Sequence, residues 1–489
     1  MQQYAPHDGF GCSREAYRML EEWLGGPEAA ALGHAGLEEE LAARGRELQR
    51  LMFQEHLDAR AAREQRRAGV AGPDGIARTR AERGRSRQLS TVFGPVTVTR
   101  IAYRAPGAPN VYPADAELSL PAGRHSHGLS RKVACAVPDV SFGRACAAIA
   151  RQTGSRLGRR QCEELARDAA GDFEGFYASA RHRPPPLAAP GDVLALSCDG
   201  KGVVVLPSQV RAQQQRRNRK RAQKQDGRLS RGEVRNRRRI AETGAVFDIT
   251  PVPRTPADIT GPQPRPDGPH AKNKWVTASI TADARDVVAS VLAEADRRDP
   301  RRARTWIALM DGDNHQICLM KAAAAERGIT ITIICDFIHV TEYLWKAAWC
   351  FFPEASPEAA PWVRERAAAI LGGHAAGVAA GIREQAAAAS LTPAERRATA
   401  ATVTYLENKT PYLNYPAALA SGWPISSGVI EGTCRHLVKD RMDITGARWG
   451  TATAEAILKL RALHANGHFD TYWDYHLQQQ HHRTHEPAA

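Results

Sequence analysis

The chain has 489 residues, 43% hydrophobic, 25% charged and 6% aromatic, which suits roughly two to four globular domains and excludes a fibrous or wholly disordered protein. Lys and Arg outnumber Asp and Glu by 67 to 53, a formal net charge of +14; such an excess favours a polyanionic partner, either nucleic acid or an anionic membrane surface. No apolar run approaches the roughly 18 residues of a spanning helix, and the N-terminus lacks the basic-then-apolar layout of a signal peptide. The nine cysteines include no CxxC pair, which argues against a disulfide framework or a zinc knuckle and for a reducing cytoplasm.

In chain order, residues 13–67 are rich in Ala, Leu, Glu and Arg, with Leu20, Leu24, Leu37, Leu41, Leu48 and Leu51 at near-helical intervals. Helices are expected there, broken at Gly25–Gly26–Pro27. The Gly- and Arg-rich stretch 68–87 has the composition of a linker. QLSTVFGPVTVTRIAYRA (88–105) alternates around Gly94–Pro95, a strand–turn–strand signal, and a Pro-rich loop is expected over 106–127.

Residues 141–177 predict two helices and a turn. Phe142, Ala145, Cys146 and Ile149 share one face, Gly154 offers a stop, and Cys162, Leu165, Ala169 and Phe173 share the next face. Arg156, Arg159, Arg160 and Arg167 fall outside that pattern. A helix-turn-helix would set Arg159 and Arg160 against DNA; a plain helical hairpin packed on its neighbours is the other reading. RHRPPPLAAPGD (181–192) marks a boundary.

Beyond it the pattern changes. VLALSCDG (193–200) is a nearly continuous apolar run, as in a strand buried on both faces, and Gly202–Leu206 continue it. Residues 211–239 follow, with 13 Lys or Arg against Asp226 and Glu233; this +11 leaves only +3 for the rest of the chain. The segment holds Arg216, Arg217, Arg219, Lys220, Arg221, Arg237, Arg238 and Arg239 and almost no aromatic residue, so it suits duplex phosphates rather than bases. It also lacks the apolar face of a membrane-surface helix. IAETGAVFDIT (240–250), KWVTASIT (274–281), TWIALMDG (305–312) and ITIICDFIHV (331–340) are further strands. Helices are expected at 283–298 and 314–328. Residues 346–425 are Ala-rich and helical, and another helix runs through VIEGTCRHLVKDRM (429–442).

Three strands, helix, strand, helix, strand is the order of a ribonuclease-H-like α/β core, a mixed sheet flanked by helices. In that order the first and fourth strands are neighbours and a late helix covers their ends. Asp199 ends the first strand, Asp311 ends the fourth, and Glu431 lies on the late helix. Their convergence would supply oxygen ligands for Mg²⁺, or Mn²⁺, and a pair of such ions about 3.5–4 Å apart can serve both oxygens of a phosphodiester exchange. Arg435 and Lys439 follow Glu431 at i+4 and i+8 and would grip phosphate; an i,i+4 Glu431–Arg435 salt bridge is the purely structural reading. Asp313 is the alternative to Asp311 as ligand. Asp336 heads Asp336-x-x-His339; helix capping is the default role for Asp313 and Asp336. His315 and His436 are phosphate contacts or polar packing residues, and His481, His482 and His485 belong to a mobile tail.

LSCDGKG (196–202), MDGDNHQ (310–316), CDFIHVTEYLWKAAW (335–349), GWPISSGVIEGTCRHLVKDRMDITGARW (422–449), LKLRALHANGHFDTYW (458–473) and VFGPVTVTRIAYR (92–104) resemble the bacterial ISKra-type insertion-sequence transposases, of the DDE class. The resemblance spans nearly the whole chain, and GVIEG…KDRMDITGARW is its most specific piece. It implies a ribonuclease-H-like domain interrupted by a helical insertion, with the three acidic ligands at Asp199, Asp311 and Glu431. Asp336-x-x-His339 resembles the Cys- or Asp-x-x-His element that follows the last core strand in Mutator-type relatives.

The expected division is then a helical region and linker (1–87), a hairpin with a helix-turn-helix-like region (88–180), the catalytic core (190–345 and 426–465), the insertion (346–425) and a tail (466–489). The expected function is a DNA transposase acting on double-stranded DNA, both element ends and target, in the bacterial cytoplasm at the nucleoid, as a homo-oligomer on DNA. A metal-dependent nuclease on the same fold and a catalytically inactive DNA-binding regulator are the rivals.

Overall fold

The helix-favouring composition of the first sixty residues yields α1 (Gly11–Leu24) and α2 (His34–Arg63), separated at Gly25–Gly26 by the proline-initiated turn Pro27–Ala30. The computed structural model describes residues 9–72, 74–179, 184–210, 238–261, 267–444 and 446–486. It divides into two units, Met1–Ala178 with Phe469–Ala489, and Ser179–His468.

In the first unit, β1 (Arg80–Thr91) pairs antiparallel with β2 (Gly94–Ala105), and β3 (Ala108–Val111) adds to the other edge of β2. β1 therefore starts eight residues before the hairpin expected at 88, and the 106–127 loop contains a strand. The charged stretch before Gln88 shows no apolar alternation; its pairing is carried by β2, where Val96, Val98, Ile101 and Tyr103 are buried. Leu57 of α2 packs with Leu89, Val96, Val98 and Leu120.

Then come α3 (His127–Ala136), α4 (Phe142–Thr153), α5 (Arg159–Ala169) and α6 (Phe173–Ala178). The Ser141 hydroxyl caps α4 by accepting from the Arg144 N–H, and Gly154 ends it at φ 70, a left-handed stop that glycine adopts freely. Ala145 and Ile149 of α4 and Cys162 and Ala169 of α5 are buried, as their spacing predicts, whereas Leu165 is half-buried and Ala166 is buried beside it. The expected C-terminal tail is instead a helix, Phe469–His485, with Phe469, Tyr472, Trp473 and His476 buried. Tyr472 Oη donates to the Ala169 carbonyl at 2.7 Å, and Arg483 forks onto Asp172 at 2.6 and 2.8 Å. His481 and His485 reach Ser119 Oγ and the Leu120 carbonyl at 2.9 and 2.8 Å, so they are anchored on a helix rather than on a mobile tail.

The second unit is built on β4 (Val193–Val204), β5 (Arg238–Ile249), β6 (Ala271–Ser279), α7 (Ala284–Arg298), β7 (Trp306–Met310), α8 (Asn314–Glu326) and β8 (Thr332–Cys335). These strands form a five-stranded mixed sheet in the order β6-β5-β4-β7-β8. β4, β5 and β6 pair antiparallel; β7 lies parallel to β4, and β8 parallel to β7. Continuous apolar runs make β4 and β7 buried on both faces, as central strands between helical layers must be. α7 presses Val287 and Val291 onto β5, where a Cβ at Gly244 would stand 2.4 Å from Val291 Cγ2, so only glycine fits.

β8 stops at Cys335, five residues short of the expected end, because the Asp336 carboxylate caps the next helix, α9 (Phe337–Phe351), by accepting from the Ile338 N–H at 2.7 Å. The Ala-rich stretch is helical as expected: α10 (Ala359–Leu371), α11 (Ala375–Ala388), α12 (Pro393–Lys409) and α13 (Tyr415–Ala420). α14 (Gly428–Thr433) runs into a widened π turn, Cys434–Lys439, before α15 (Thr451–Ala465) packs against β6. No helix among the described residues is long and apolar enough to cross a membrane.

Candidate active site

The β4–β7 ladder matches Leu194 to Trp306 and ends at Ser197 with Leu309. Two residues further on come Asp199, which lies inside β4 rather than at its expected end, and Asp311, the first residue after β7. The Ser197 hydroxyl donates to the Leu309 carbonyl at 2.6 Å and locks this register just below them.

Asp199 is held from three sides. Its Oδ1 accepts from the Gly200 N–H at 2.6 Å, its Oδ2 from the Cys434 thiol at 3.1 Å, and its carbonyl from the Thr243 hydroxyl at 2.8 Å on the facing residue of β5. Burial pushes the Cys434 thiol up to about 12, and the charge of Asp199 adds to that, so the sulfur stays protonated and able to donate.

Asp311 sits where β7 ends. Its Oδ1 accepts from the Asp313 N–H at 2.8 Å. Burial raises the Asp311 carboxyl above its usual range; the Asp313 N–H opposes this, the negative charge of Asp199 adds to it, and His339 opposes it. The next residue, Gly312, turns at φ 94 and leaves room for Tyr405 of α12, whose Oη would stand 2.8 Å from a Cβ there. Tyr405 stacks on Tyr343 of α9 with ring centroids 4.0 Å apart. The buried Lys409, also on α12, donates to Asn314.

Of the rival carboxylates, Asp313 is exposed and caps α8, accepting from the Gln316 N–H at 2.9 Å. Asp336 is buried; besides capping α9, it accepts from the Ser427 N–H at 3.0 Å and from the Ser427 hydroxyl. With the Phe337 N–H bonded to the Ile425 carbonyl at 2.8 Å, this ties the segment before α14 to the end of β8. Both capping roles are those expected from the sequence.

Glu431 lies in the first turn of α14, the helix that packs on β4 and β5, three residues before the Cys434 that touches Asp199. Its carboxylate faces solvent. The structure thus brings Asp199 and Asp311 together and Glu431 to the neighbouring helix turn. Among the described residues, no group of three or more His, Cys, Asp or Glu stands close enough to hold a metal ion. The donor chemistry of the Asp199–Asp311 pair nonetheless suits a hard divalent cation: two carboxylates, one of them partly buried and raised chiefly by that burial.

The π turn changes the expected face. Arg435 lies 4.0 Å from Asp440, five residues on, rather than pairing with Glu431 at i+4, because a π turn brings i and i+5 together. The turn is held from outside by Arg461, whose Nε donates to the His436 and Leu437 carbonyls at 3.1 and 3.0 Å. Arg435, His436 and Lys439 are exposed, and His315 is too, so neither histidine is a packing residue. Arg159 and Arg160 are exposed at the start of α5, Arg160 paired with Glu164 at 3.0 Å.

In the basic segment, Arg216, Arg217, Arg219, Lys220, Arg221 and Arg237 lie outside the described residues; Arg238 and Arg239 open β5. Cys434, Tyr405 and Lys409 were missed from sequence. Cys434 has no partner cysteine at a telling spacing, and the other two stand in an Ala-rich insertion with no periodic cue to a site. No protein-family model matches the chain, and no curated protein matches it.

Proposed function

We propose that the protein is a DDE-type transposase of the ISKra kind, with a ribonuclease-H-like core, acting on double-stranded DNA at element ends and target, as a homo-oligomer in the bacterial cytoplasm. The observation that carries this reading is that Asp199 and Asp311 each lie two residues beyond the last pair of the parallel β4–β7 ladder. The strand order β6-β5-β4-β7-β8, the helical insertion after β8 and the excess of positive charge support it.

Asp199 and Asp311 would hold Mg²⁺ or Mn²⁺, with Glu431 as the third carboxylate. When bound, such a cation supplies an activated oxygen nucleophile and neutralises the leaving oxygen of an in-line phosphoryl exchange. The chain's own part is positioning. Cys434 and Gly200 hold the two oxygens of Asp199, the Asp313 N–H holds Asp311, and the Asp336–Ser427 contact docks the segment that leads into the Glu431 helix. Water attack at the element end breaks a P–O bond and frees a 3′-hydroxyl. That hydroxyl attacks a target phosphate, forming one P–O bond as another breaks.

The test is a strand-transfer assay with DNA carrying the element's ends. Joined products with Mg²⁺ support a transposase. Cleavage without joining makes the protein a nuclease on the same carboxylates, and binding without cleavage makes it a regulator.

A further inference from the structure

The first unit carries a basic surface that none of the residues named so far explains. Two clefts, of about 570 and about 620 Å³, lie beside the β1–β2 hairpin, and Arg66 lines both. Together their walls carry seven arginines against three glutamates. The glutamates are largely spent: Glu117 faces Arg60 and Arg67, Glu82 binds Arg104, and Glu64 accepts from the Ile101 N–H at 2.8 Å. Arg63, Arg66 and Arg80 are exposed and face no acidic partner among the described residues. Buried or paired arginines are structural; three uncompensated guanidinium groups around two clefts that share Arg66 are not needed for the fold.

We infer that this surface binds the phosphate backbone of duplex DNA through residues other than those of the basic segment at 211–239 and of α5. The inference rests on the DNA-handling reading for the identity of the polyanion. The lining selects duplex over single strand, because neither cleft is lined by Phe, Tyr or Trp on which unpaired bases would stack. It also lacks the large apolar wedge that a membrane surface requires. Guanidinium groups without base-edge partners neutralise phosphates and read no sequence.

The experiment compares the full chain with two triple variants, Arg63→Gln/Arg66→Gln/Arg80→Gln and the same positions changed to Lys, on a random duplex across a salt series. The plot of log affinity against log salt should flatten by about 2 to 3 units in the Gln variant, close to one per lost phosphate contact. The Lys variant should keep the wild-type slope, since it keeps the charge. Equal thermal unfolding of all three chains confirms that the clefts remain folded. An unchanged slope in the Gln variant overturns the inference, as does an equal loss in the Lys variant. So does competition by polyglutamate as effective, charge for charge, as duplex. Failure of the catalytic reading looks different: Mg²⁺-dependent cleavage by Asp199→Asn, with these salt slopes unaltered.

Discussion

Asp199 of β4 and Asp311, the first residue after β7, each lie two residues beyond the Ser197–Leu309 pair that closes the ladder between these parallel strands. Ladder pairs in this register differ by 112 in residue number, as Leu194 and Trp306 do, and the two aspartates differ by the same amount. Their proximity therefore follows from the pairing of β4 with β7, which fixes where the turn carrying Asp311 begins. Like charges held this way repel without a cation.

That repulsion and the burial of Asp311 have a stability consequence. Asp311 titrates above its ordinary value of 3.8 in the folded chain. Its favourable contribution is complete below the unfolded value and is lost as pH rises through the raised folded one. Asp311→Asn does not titrate and escapes that loss. Urea midpoints should favour the variant at pH 7, with the gap closing near pH 4. Added Mg²⁺ should raise the wild-type midpoint at pH 7 and leave the variant unmoved. A gap that widens towards acid contradicts the assignment.

Cys434 is buried, with its thiol pushed up to about 12. The thiolate is the nucleophile towards alkylating reagents, so Cys434 should resist labelling at pH 8 in the native chain while the exposed Cys12 and Cys318 react. Peptide mapping after brief alkylation reads this directly. Labelling of Cys434 at the rate of Cys12 would show that its contact with Asp199 is not maintained in solution.

Gly312 combines a φ of 94 with the close approach of Tyr405. Gly312→Ala should cost about 1–3 kcal/mol in unfolding free energy, the usual range for a strained backbone position. Tyr405→Phe in the same chain should recover part of that cost, because it removes the Oη that the new methyl meets. No recovery in the double variant would place the whole cost in the backbone.

The C-terminal helix is part of the first unit's core. Trp473→Ala, at a side chain only 3% exposed, should destabilise that unit by about 3–5 kcal/mol. Thermal unfolding measures it. A change under about 0.5 kcal/mol would return the segment to a dispensable tail.

The central sheet is legible because its strands are the chain's continuous apolar runs, and Asp311 directly follows one of them as expected; β4 runs on past Asp199 to Val204, because Gly200–Val204 keep pairing with β5. Three further features were not legible. Arg80–Arg87 lacks apolar alternation, and only the buried face of β2 reveals it as a strand. The π turn at Cys434–Lys439 depends on Arg461, about 25 residues away, bonding the His436 and Leu437 carbonyls, a long-range stabilisation that local propensity does not carry. The helix Phe469–His485 returns to the first unit through Asp172 and Ala169, some 300 residues earlier, and its polar, His-rich end hid the buried aromatic stripe.

The central claim is that Asp199, Asp311 and Glu431 act together on DNA. The most direct measurement is Mg²⁺-dependent cleavage and strand transfer by Asp199→Asn, Asp311→Asn and Glu431→Gln, near-isosteric changes that remove charge and spare shape. Each should abolish both reactions while DNA binding and folding persist, and Asp313→Asn, at the exposed cap of α8, should be milder. Full activity in any of the three would contradict the three-carboxylate mechanism, and a more severe loss in Asp313→Asn than in Asp311→Asn would move the second ligand by two residues.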